Sequence, residues 1–219
     1  MDSSNSKKDH SGGKKYKEKI LKIIEGYKNL KDEEKNCLHI YYGYGKGKTT
    51  SAIGLAVRAL GAGKKVVIIQ FDKGYNGEIE HYAERNILRQ LKELGFNIEL
   101  YPTGCERMNT DGTFRFKNSD EDFKEAKRGL AIAEKFIDNP QQDLLILDEA
   151  IAAVTYNLLS KEDIERLILK FKQNRKYEFV MTGHKIWQFI EDNADLITEM
   201  RKVKHYFDNG IPARPGIEF

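Results

Sequence analysis

Apolar residues follow two patterns that alternate along the chain from residue 38 onward. Short runs rich in Val, Ile, Leu and Tyr predict six buried strands, at residues 38–43, 65–71, 98–103, 144–147, 178–182 and 196–200. Apolar residues three or four positions apart predict helices over three stretches between these runs, at residues 53–60, 123–137 and 164–171. Alternating strands and helices favour right-handed crossovers, so we predict an α/β fold with a doubly wound, mostly parallel six-stranded sheet.

The N-terminal part of the chain follows neither pattern at first. Residues 1–14 combine Ser, Gly, Lys and Asp with almost no apolar side chains, so we predict a disordered arm. Over residues 15–30, apolar positions such as Ile20 and Tyr27 share one face of a predicted helix. That face needs a partner, which is either the same chain or a second subunit. We predict one domain over 15–219, since this length suits one sizeable core.

The charge pattern narrows the classes of partner. Residues 1–36 carry 10 Lys and 7 acidic residues, which accounts for the whole formal charge of +3. A nucleic-acid surface needs clustered Lys and Arg, so the balanced body argues against nucleic-acid binding. The chain has neither a long apolar run nor a secretory signal, which predicts a cytoplasmic protein without a membrane partner. Cys37 and Cys105 lack the spacing of a zinc site and should be reduced thiols.

The strongest chemical signal is the segment GYGKGKTT at residues 43–50, which follows a predicted strand and opens a predicted helix. Glycines let backbone N–H groups converge on phosphate oxygens, and the helix N-terminus adds its dipole. Lys48 supplies a positive charge, and Thr49 offers a hydroxyl to magnesium. We therefore predict a phosphate-binding loop.

Two further segments end strands at the same predicted edge of the sheet. The run LLILDE delivers Asp148 and Glu149, carboxylates suited to magnesium beside Thr49. The run VMTGH, residues 180–184, is either a nucleotide contact or a plain turn. The tail, residues 205–219, keeps apolar side chains such as Tyr206 and Phe219, which favours packing over a free end.

These stretches resemble the ATP:corrinoid adenosyltransferases of the P-loop type. The similarity rests on residues 43–74, on LLILDE, and on residues 194–219, where VKHYFDNG matches the family pattern Val-Lys-His-x-Phe-Asp-x-Gly. The family loop also reads G-x-G-K-G-K-T-T, which accounts for a first glycine at 43 instead of 42. The resemblance covers roughly residues 15–219 and implies a P-loop NTPase-like, RecA-like fold.

The resemblance also implies the substrates and the residues that hold them. The expected reaction is attack of Co(I) of a reduced corrinoid on the ribose C5′ of ATP, with release of triphosphate, in cobalamin biosynthesis or salvage. Lys48, Thr49 and Glu149 are the expected catalytic residues, and Thr49, Asp148 and Glu149 the expected ligands of Mg²⁺ or Mn²⁺. The expected contacts to ATP are Gly43, Tyr44, Gly45, Lys46, Gly47, Lys48, Thr49 and Thr50. A homodimer and an electron donor such as a flavoprotein are implied as partners.

One stretch departs from the family pattern. Family members carry a Phe-x-Trp pair after the third strand, whereas this chain has Cys105-Glu106-Arg107 there. Phe114 and Phe116 are the candidates to replace that pair at the corrinoid. His184 stands where the family more often has Arg.

Two alternatives use the same motifs. A P-loop ATPase or kinase-like enzyme would release ADP, with Glu149 polarising water. A nucleotide- or corrinoid-binding sensor would bind without turnover.

Overall fold

The computed structural model describes residues 11–74, 80–107 and 115–219. It divides the chain into two units, residues 1–35 and 36–219. The first unit holds helices α1 (Ser11–Lys28) and α2 (Asp32–Lys35). Helix α1 begins at Ser11, earlier than the predicted residue 15, and residues 1–10 of the predicted arm lie outside the described residues.

The second unit is an α/β fold whose strands match the predicted runs to within one residue at each end. The strands are β1 (Leu38–Tyr42), β2 (Val66–Gln70), β3 (Ile98–Pro102), β4 (Leu144–Asp148), β5 (Glu178–Gly183) and β6 (Leu196–Glu199). The helices are α3 (Lys48–Gly61), α4 (Glu84–Glu93), α5 (Asp120–Asp138), α6 (Ala150–Thr155), α7 (Lys161–Gln173) and α8 (Gln188–Asn193), and Tyr206–Asn209 forms a 3₁₀ turn.

The six strands form one sheet in the order β3-β2-β4-β5-β1-β6, and every strand pairing among the described residues is parallel. Each residue of β2 and β4 is buried, because helices cover both faces of the sheet. Helices α3 and α4 pack on one face, and α5 to α8 pack on the other. The predicted doubly wound α/β class is confirmed.

The parallel order brings the carboxyl ends of all six strands to one edge, where ligands bind in open α/β sheets. Strand β5 lies between β1 and β4. Only strand β5 therefore separates the loop after β1 from Asp148 at the end of β4. Polar side chains that follow β1, β2, β4 and β5 can meet there.

Candidate phosphate and metal site

The loop after β1 has the shape that its glycines allow. Gly43 and Gly47 have φ values of 115° and 117°, a region that favours glycine. The N–H of Gly45 donates to the carbonyl of Met200 at 2.7 Å. A Cβ on Gly43 or Gly45 would lie 2.5 Å from that same carbonyl oxygen, too close for any side chain. The loop leads directly into α3 at Lys48, as predicted.

The start of α3 is ready for an anion. Its first turn holds no acidic residue, so its N–H groups and dipole meet no internal competitor. The side chain of Lys48 folds back over the loop, and its Nζ donates to the carbonyl of Gly45 at 3.2 Å. Lys48 is only 9% exposed. Thr50 follows on the solvent side and lines the two cavities described below.

Beneath the loop lies what we call the buried network: Thr49, Lys73, Asp148 and Thr182. The hydroxyls of Thr49 and Thr182 donate to Asp148 Oδ1 at 3.0 and 2.8 Å. The ammonium of Lys73 donates to Asp148 Oδ2 at 2.6 Å and to Thr49 Oγ1 at 2.9 Å. Burial raises the pKa of Asp148, but Lys73 and the two hydroxyls outweigh burial and hold that pKa below its ordinary value. Asp148 is therefore a carboxylate.

Glu149 comes next in the chain but faces a different direction. Its backbone is left-handed, with φ at 61°, and its N–H donates to Thr182 Oγ1 at 2.8 Å. The Glu149 side chain lines the cavities at the phosphate loop. Burial and the neighbouring Asp148 raise the pKa of Glu149. Thr182, which the sequence left open between a ligand contact and a turn, holds both acidic residues in place.

Above the loop, the C-terminal tail makes what we call the tail contacts: Lys46, Tyr206, Arg214 and Glu218. The ammonium of Lys46 donates to the Glu218 carboxylate at 2.5 Å and to the Tyr206 hydroxyl at 2.8 Å. Tyr206 and Arg214 also bind Glu218. The tail is therefore held at the phosphate loop by polar contacts. Its apolar side chains were expected to pack, but Phe207, Ile211 and Ile217 are 65%, 41% and 55% exposed.

Two adjoining cavities lie between loop and tail. The smaller, about 190 Å³, is lined by Lys46, Lys48 and Thr49 together with Glu149 and residues of the tail. The larger, about 470 Å³, shares Thr49 and Glu149 and continues along Lys73, Tyr82, Glu84 and the last four residues of the chain. This volume falls in the usual range for a small-molecule site. The groups that are expected to bind phosphate therefore lie next to a cavity large enough for a small-molecule ligand.

The segment that departs from the family pattern lines a third, smaller cavity of about 140 Å³. Cys105 and Arg107 contribute to it, with Asp72, His81 and Phe219. Arg107 is buried and donates to Asp72 Oδ1 at 2.7 Å. Burial and Asp122 raise the pKa of Cys105 to about 11, so it is a neutral thiol at pH 7.

Phe114 and Phe116 are the two aromatic residues that were predicted to replace the Phe-x-Trp pair. Phe114 lies outside the described residues. Phe116 is 85% exposed and does not line the described cavities at the phosphate loop. Tyr44 is 65% exposed, and its ring stacks on that of His184 with centroids 5.3 Å apart. The roles of Phe114, Phe116 and Tyr44 stay predictions.

Sequence reasoning did not single out Lys73 or Glu218 for this site. Lys73 lies three residues after the end of strand β2, so its place at the carboxyl edge of a parallel sheet was a usable signal. Glu218 carried no such signal, because only the fold of the tail brings it to Lys46.

The donor set has the chemistry of a hard-cation site. Carboxylates and a hydroxyl offer oxygen ligands only, and phosphate oxygens commonly complete such a set for magnesium. Among the described residues, no group of three or more His, Cys, Asp and Glu side chains could hold a metal ion by itself. The residues present thus fit magnesium held jointly with a phosphorylated ligand.

A glycine-rich loop between a strand and a helix, facing an aspartate at the end of a parallel strand, defines a P-loop nucleotide-binding protein. The profile of the family described as "ATP:corrinoid adenosyltransferase BtuR/CobO/CobP" matches residues 34–219. The chain belongs to the ATP:corrinoid adenosyltransferase family. It is accordingly a transferase whose substrates are ATP and a corrinoid.

Characterised relatives agree with this assignment. The chain is 31% identical over 189 residues to the corrinoid adenosyltransferase of Escherichia coli strain K12, covering 85% of this chain and 87% of that one. It is 32% identical over 189 residues, with the same coverage, to "Corrinoid adenosyltransferase CobA" of Salmonella typhimurium. A Pseudomonas aeruginosa corrinoid adenosyltransferase is 30% identical over 188 residues, 85% of each chain. No helix in the described part of the chain is long and apolar enough to cross a membrane.

Proposed function

We propose that this chain transfers the 5′-deoxyadenosyl group of ATP to Co(I) of a reduced corrinoid and releases triphosphate. The observation that carries the proposal is the convergence of Lys46, Lys48 and Thr49 at the start of α3 beside a cavity of about 470 Å³. The phosphate-binding groups and the space for a second substrate adjoin each other. Family membership supports the reaction class, and this arrangement supports the choice of residues.

The chemistry asks little of the protein beyond binding and alignment. Co(I) supplies the electron pair for the new bond to C5′, and the C5′–O bond breaks with its pair leaving on triphosphate. Cobalt is thereby formally oxidised from Co(I) to Co(III). A strong nucleophile needs no general base, so the protein contributes by orienting C5′ and by stabilising the negative charge that develops on the leaving group.

The residues of the loop serve that leaving group. The backbone N–H groups of 46–50 and the ammonium groups of Lys46 and Lys48 hold the triphosphate oxygens, whereas the N–H groups of Gly43 and Gly45 already donate to backbone carbonyls. Fixed positive charge at a leaving group lowers the barrier when water is excluded. Lys48 is buried and already directed over the loop, so it is placed before the substrate arrives.

Magnesium would be held by Thr49 and Glu149, with Asp148 assisting. When bound it would neutralise part of the triphosphate charge. The Thr182 hydroxyl donates to Asp148 and accepts the N–H of Glu149, so the Asp148 carboxylate and the Glu149 backbone are held in place before the metal arrives. Manganese fits the same oxygen ligands.

We propose that the corrinoid binds at the larger cavity and at the adjoining smaller one, which share Tyr82 and Phe219 and reach Cys105. Phe114 and Phe116 are the proposed aromatic contacts there, in place of the Phe-x-Trp pair. Removal of the lower axial ligand of cobalt would ease the reduction of Co(II), because axial ligation sets the potential. An electron donor such as a flavoprotein would supply the electron, in the cytoplasm.

A homodimer is proposed from the resemblance, with α1 contacting a second copy of the chain. Its apolar side chains Ile23, Ile24 and Tyr27 are each about half exposed. Sedimentation of the full chain tests this: the wild type should have dimer mass, and Ile24→Asp should shift it toward monomer. A wild-type monomer at micromolar concentration contradicts it.

The test of the activity is anaerobic incubation with ATP, magnesium and chemically generated cob(I)alamin. The cobalamin spectrum reports adenosylcobalamin, and chromatography identifies the phosphate product. We expect adenosylcobalamin and triphosphate in equal amounts. ADP as product would instead support a hydrolase or kinase-like enzyme, and nucleotide binding without any product would support a sensor.

A further inference from the structure

Lys73 contacts the same oxygen atoms that are assigned to magnesium. Its Nζ lies 2.6 Å from Asp148 Oδ2 and 2.9 Å from Thr49 Oγ1. The side chains of Lys73 and Asp148 are 10% and 0% exposed. The Thr49 hydroxyl gives its hydrogen to Asp148, so Lys73 donates to one of the two lone pairs of the Thr49 oxygen. A metal ligated by Thr49 would use the other lone pair, which would place two cations on one oxygen atom.

The backbone of Lys73 is fixed while its side chain can turn. The Lys73 N–H donates to the carbonyl of Thr103 at 2.9 Å, and its carbonyl accepts from Arg85 at 2.5 Å. Arg85 is fully buried. Only rotation about the four-carbon stem can therefore move the ammonium group. Such rotation moves no backbone atom of the sheet edge.

We propose that Lys73 is a positioning residue that holds Thr49 and Asp148 in their ligand positions and that magnesium displaces its ammonium group from Thr49. The inference rests on the magnesium site proposed above. A divalent ion ligated by the Thr49 oxygen and an ammonium 2.9 Å from the same oxygen would bring two positive charges together in a buried place. Their repulsion is poorly screened there, so the two cations exclude each other on Thr49.

The displaced ammonium group of Lys73 can find another acidic partner in the same cavity. Lys73 and Glu84 both line the larger cavity, and the Lys73 ammonium already lies 5.2 Å from the centre of the Tyr82 ring. A triphosphate in the adjoining cavity would add further negative charge. Lys73 can thus leave Thr49 and still keep a negative partner, which limits the cost of exchange.

Metal rescue tests the exchange without measuring activity. Lys73→Met should lower the melting temperature of the full chain, because Asp148 is left buried without its cation. With inorganic triphosphate at a saturating concentration, about 10 mM MgCl₂ should then raise that temperature by roughly 3 °C or more. The wild type should respond by less, because Lys73 competes for the same oxygens. KCl at equal ionic strength is the salt control.

A matched lysine variant checks that rescue is specific to this site. Lys170 pairs with Asp138 at 2.9 Å on the far side of the sheet from α3, and both side chains are partly exposed. Lys170→Met should show no magnesium-dependent stabilisation beyond the wild type. Equal magnesium responses in wild type and Lys73→Met would overturn the proposal and leave Lys73 as a structural ion pair.

A second variant keeps the proposal testable if Lys73→Met does not fold. Lys73→Arg keeps the charge but can bind Asp148 with two donors, so magnesium should displace it less readily. The magnesium concentration that half-saturates ATP binding, measured by calorimetry, should rise at least about threefold. An unchanged value would overturn the exchange. Both readouts are independent of whether cob(I)alamin is adenosylated, so they separate this inference from the proposed reaction.

Discussion

The buried network and the tail contacts lie on opposite sides of the phosphate loop and use the same chemistry. Each joins a lysine of the site to a carboxylate, with a hydroxyl as a further partner. The two groups of residues differ in their exposure to water. The side chains of Lys73 and Asp148 are 10% and 0% exposed, whereas those of Lys46 and Glu218 are 38% and 15% exposed. A buried carboxylate that loses its partner costs several kcal/mol, while exposed ion pairs contribute about 0 to 1 kcal/mol.

This difference divides the work between the two regions. The buried network is suited to fixing geometry, because its members cannot separate without a large penalty unless another cation replaces the first. The tail contacts are suited to exchange, since water and substrate oxygens can replace the Glu218 carboxylate at Lys46 with little loss. Variants on the two sides should therefore differ in kind: loss of placement or stability below the loop, and small changes in affinity above it.

The largest expected effect is at Lys48, which is buried over the loop beside the network. Lys48→Ala should lower the rate of adenosyl transfer by roughly a thousandfold, because the triphosphate loses a fixed positive charge. The free energy of unfolding should change little, because the hydrogen bond that is lost is the one from Lys48 Nζ to the backbone carbonyl of Gly45 at 3.2 Å. Single-turnover spectroscopy with cob(I)alamin measures the rate. Unchanged activity would contradict the assignment of the phosphate site, and Lys64→Ala, at an exposed lysine, is the matched control.

The next largest effect is on stability. Asp148→Ala should lower the free energy of unfolding by roughly 3 kcal/mol, because Lys73 stays buried without its partner. Urea unfolding in magnesium-free buffer measures it. Asp138→Ala, which breaks the exposed pair with Lys170, should cost less than about 1 kcal/mol. Equal losses for the two variants would remove the contrast between buried and exposed pairs.

The strands and the phosphate loop could be predicted because their signals are local. The six apolar runs matched the strands to within one residue, since parallel strands covered on both faces are continuously apolar. Helices α6 and α8 were missed, as six residues give too little periodicity to detect. Helix α4 was missed because only Arg85 and Leu88 of its residues are buried.

The contacts in the site could be predicted only where both residues of a pair belong to a recognisable motif. Thr49 and Asp148 belong to recognisable segments, so their contact was expected although they lie far apart in sequence. Lys73 lies 75 residues from Asp148, and Lys46 lies 172 residues from Glu218. The sequence around Lys73 or Glu218 does not indicate which residue each of them contacts. Only the packing of the sheet edge and the tail brings these charges together.

Asp122 offers an intermediate case, because its carboxylate is buried but its partner Arg115 is 29% exposed. Asp122 accepts two bonds from Arg115 at 2.6 and 2.9 Å and caps α5 together with Ser119. Arg115 and the Ser119 cap outweigh burial and hold the pKa of Asp122 well below its ordinary value. This stabilisation is present above the unfolded pKa of about 4 and is lost as the pH falls below it.

Asp122→Asn should therefore lower the free energy of unfolding by about 1 kcal/mol at pH 7, and the gap to wild type should narrow below about pH 4. Urea unfolding across that range measures both values. Asp163→Asn is the matched control, since Asp163 occupies the same capping position on α7 but receives one bond from Arg166, not two from an arginine. A gap for Asp122→Asn that does not change with pH would show that the charge is unimportant.

The smallest effect is expected in the tail contacts. Glu218→Gln removes the charge that holds Lys46, so inorganic triphosphate no longer competes with a carboxylate for that ammonium group. Its dissociation constant should fall about two- to threefold at low salt, and the difference should vanish near 0.5 M NaCl because exposed charges are screened there. Calorimetric titration measures both conditions, with Asp208→Gln, which removes the exposed partner of Lys202, as the control. Weaker binding by Glu218→Gln would mean that the tail presents Lys46 to the phosphate instead of competing for it. The exposed region would then fix geometry as the buried one does.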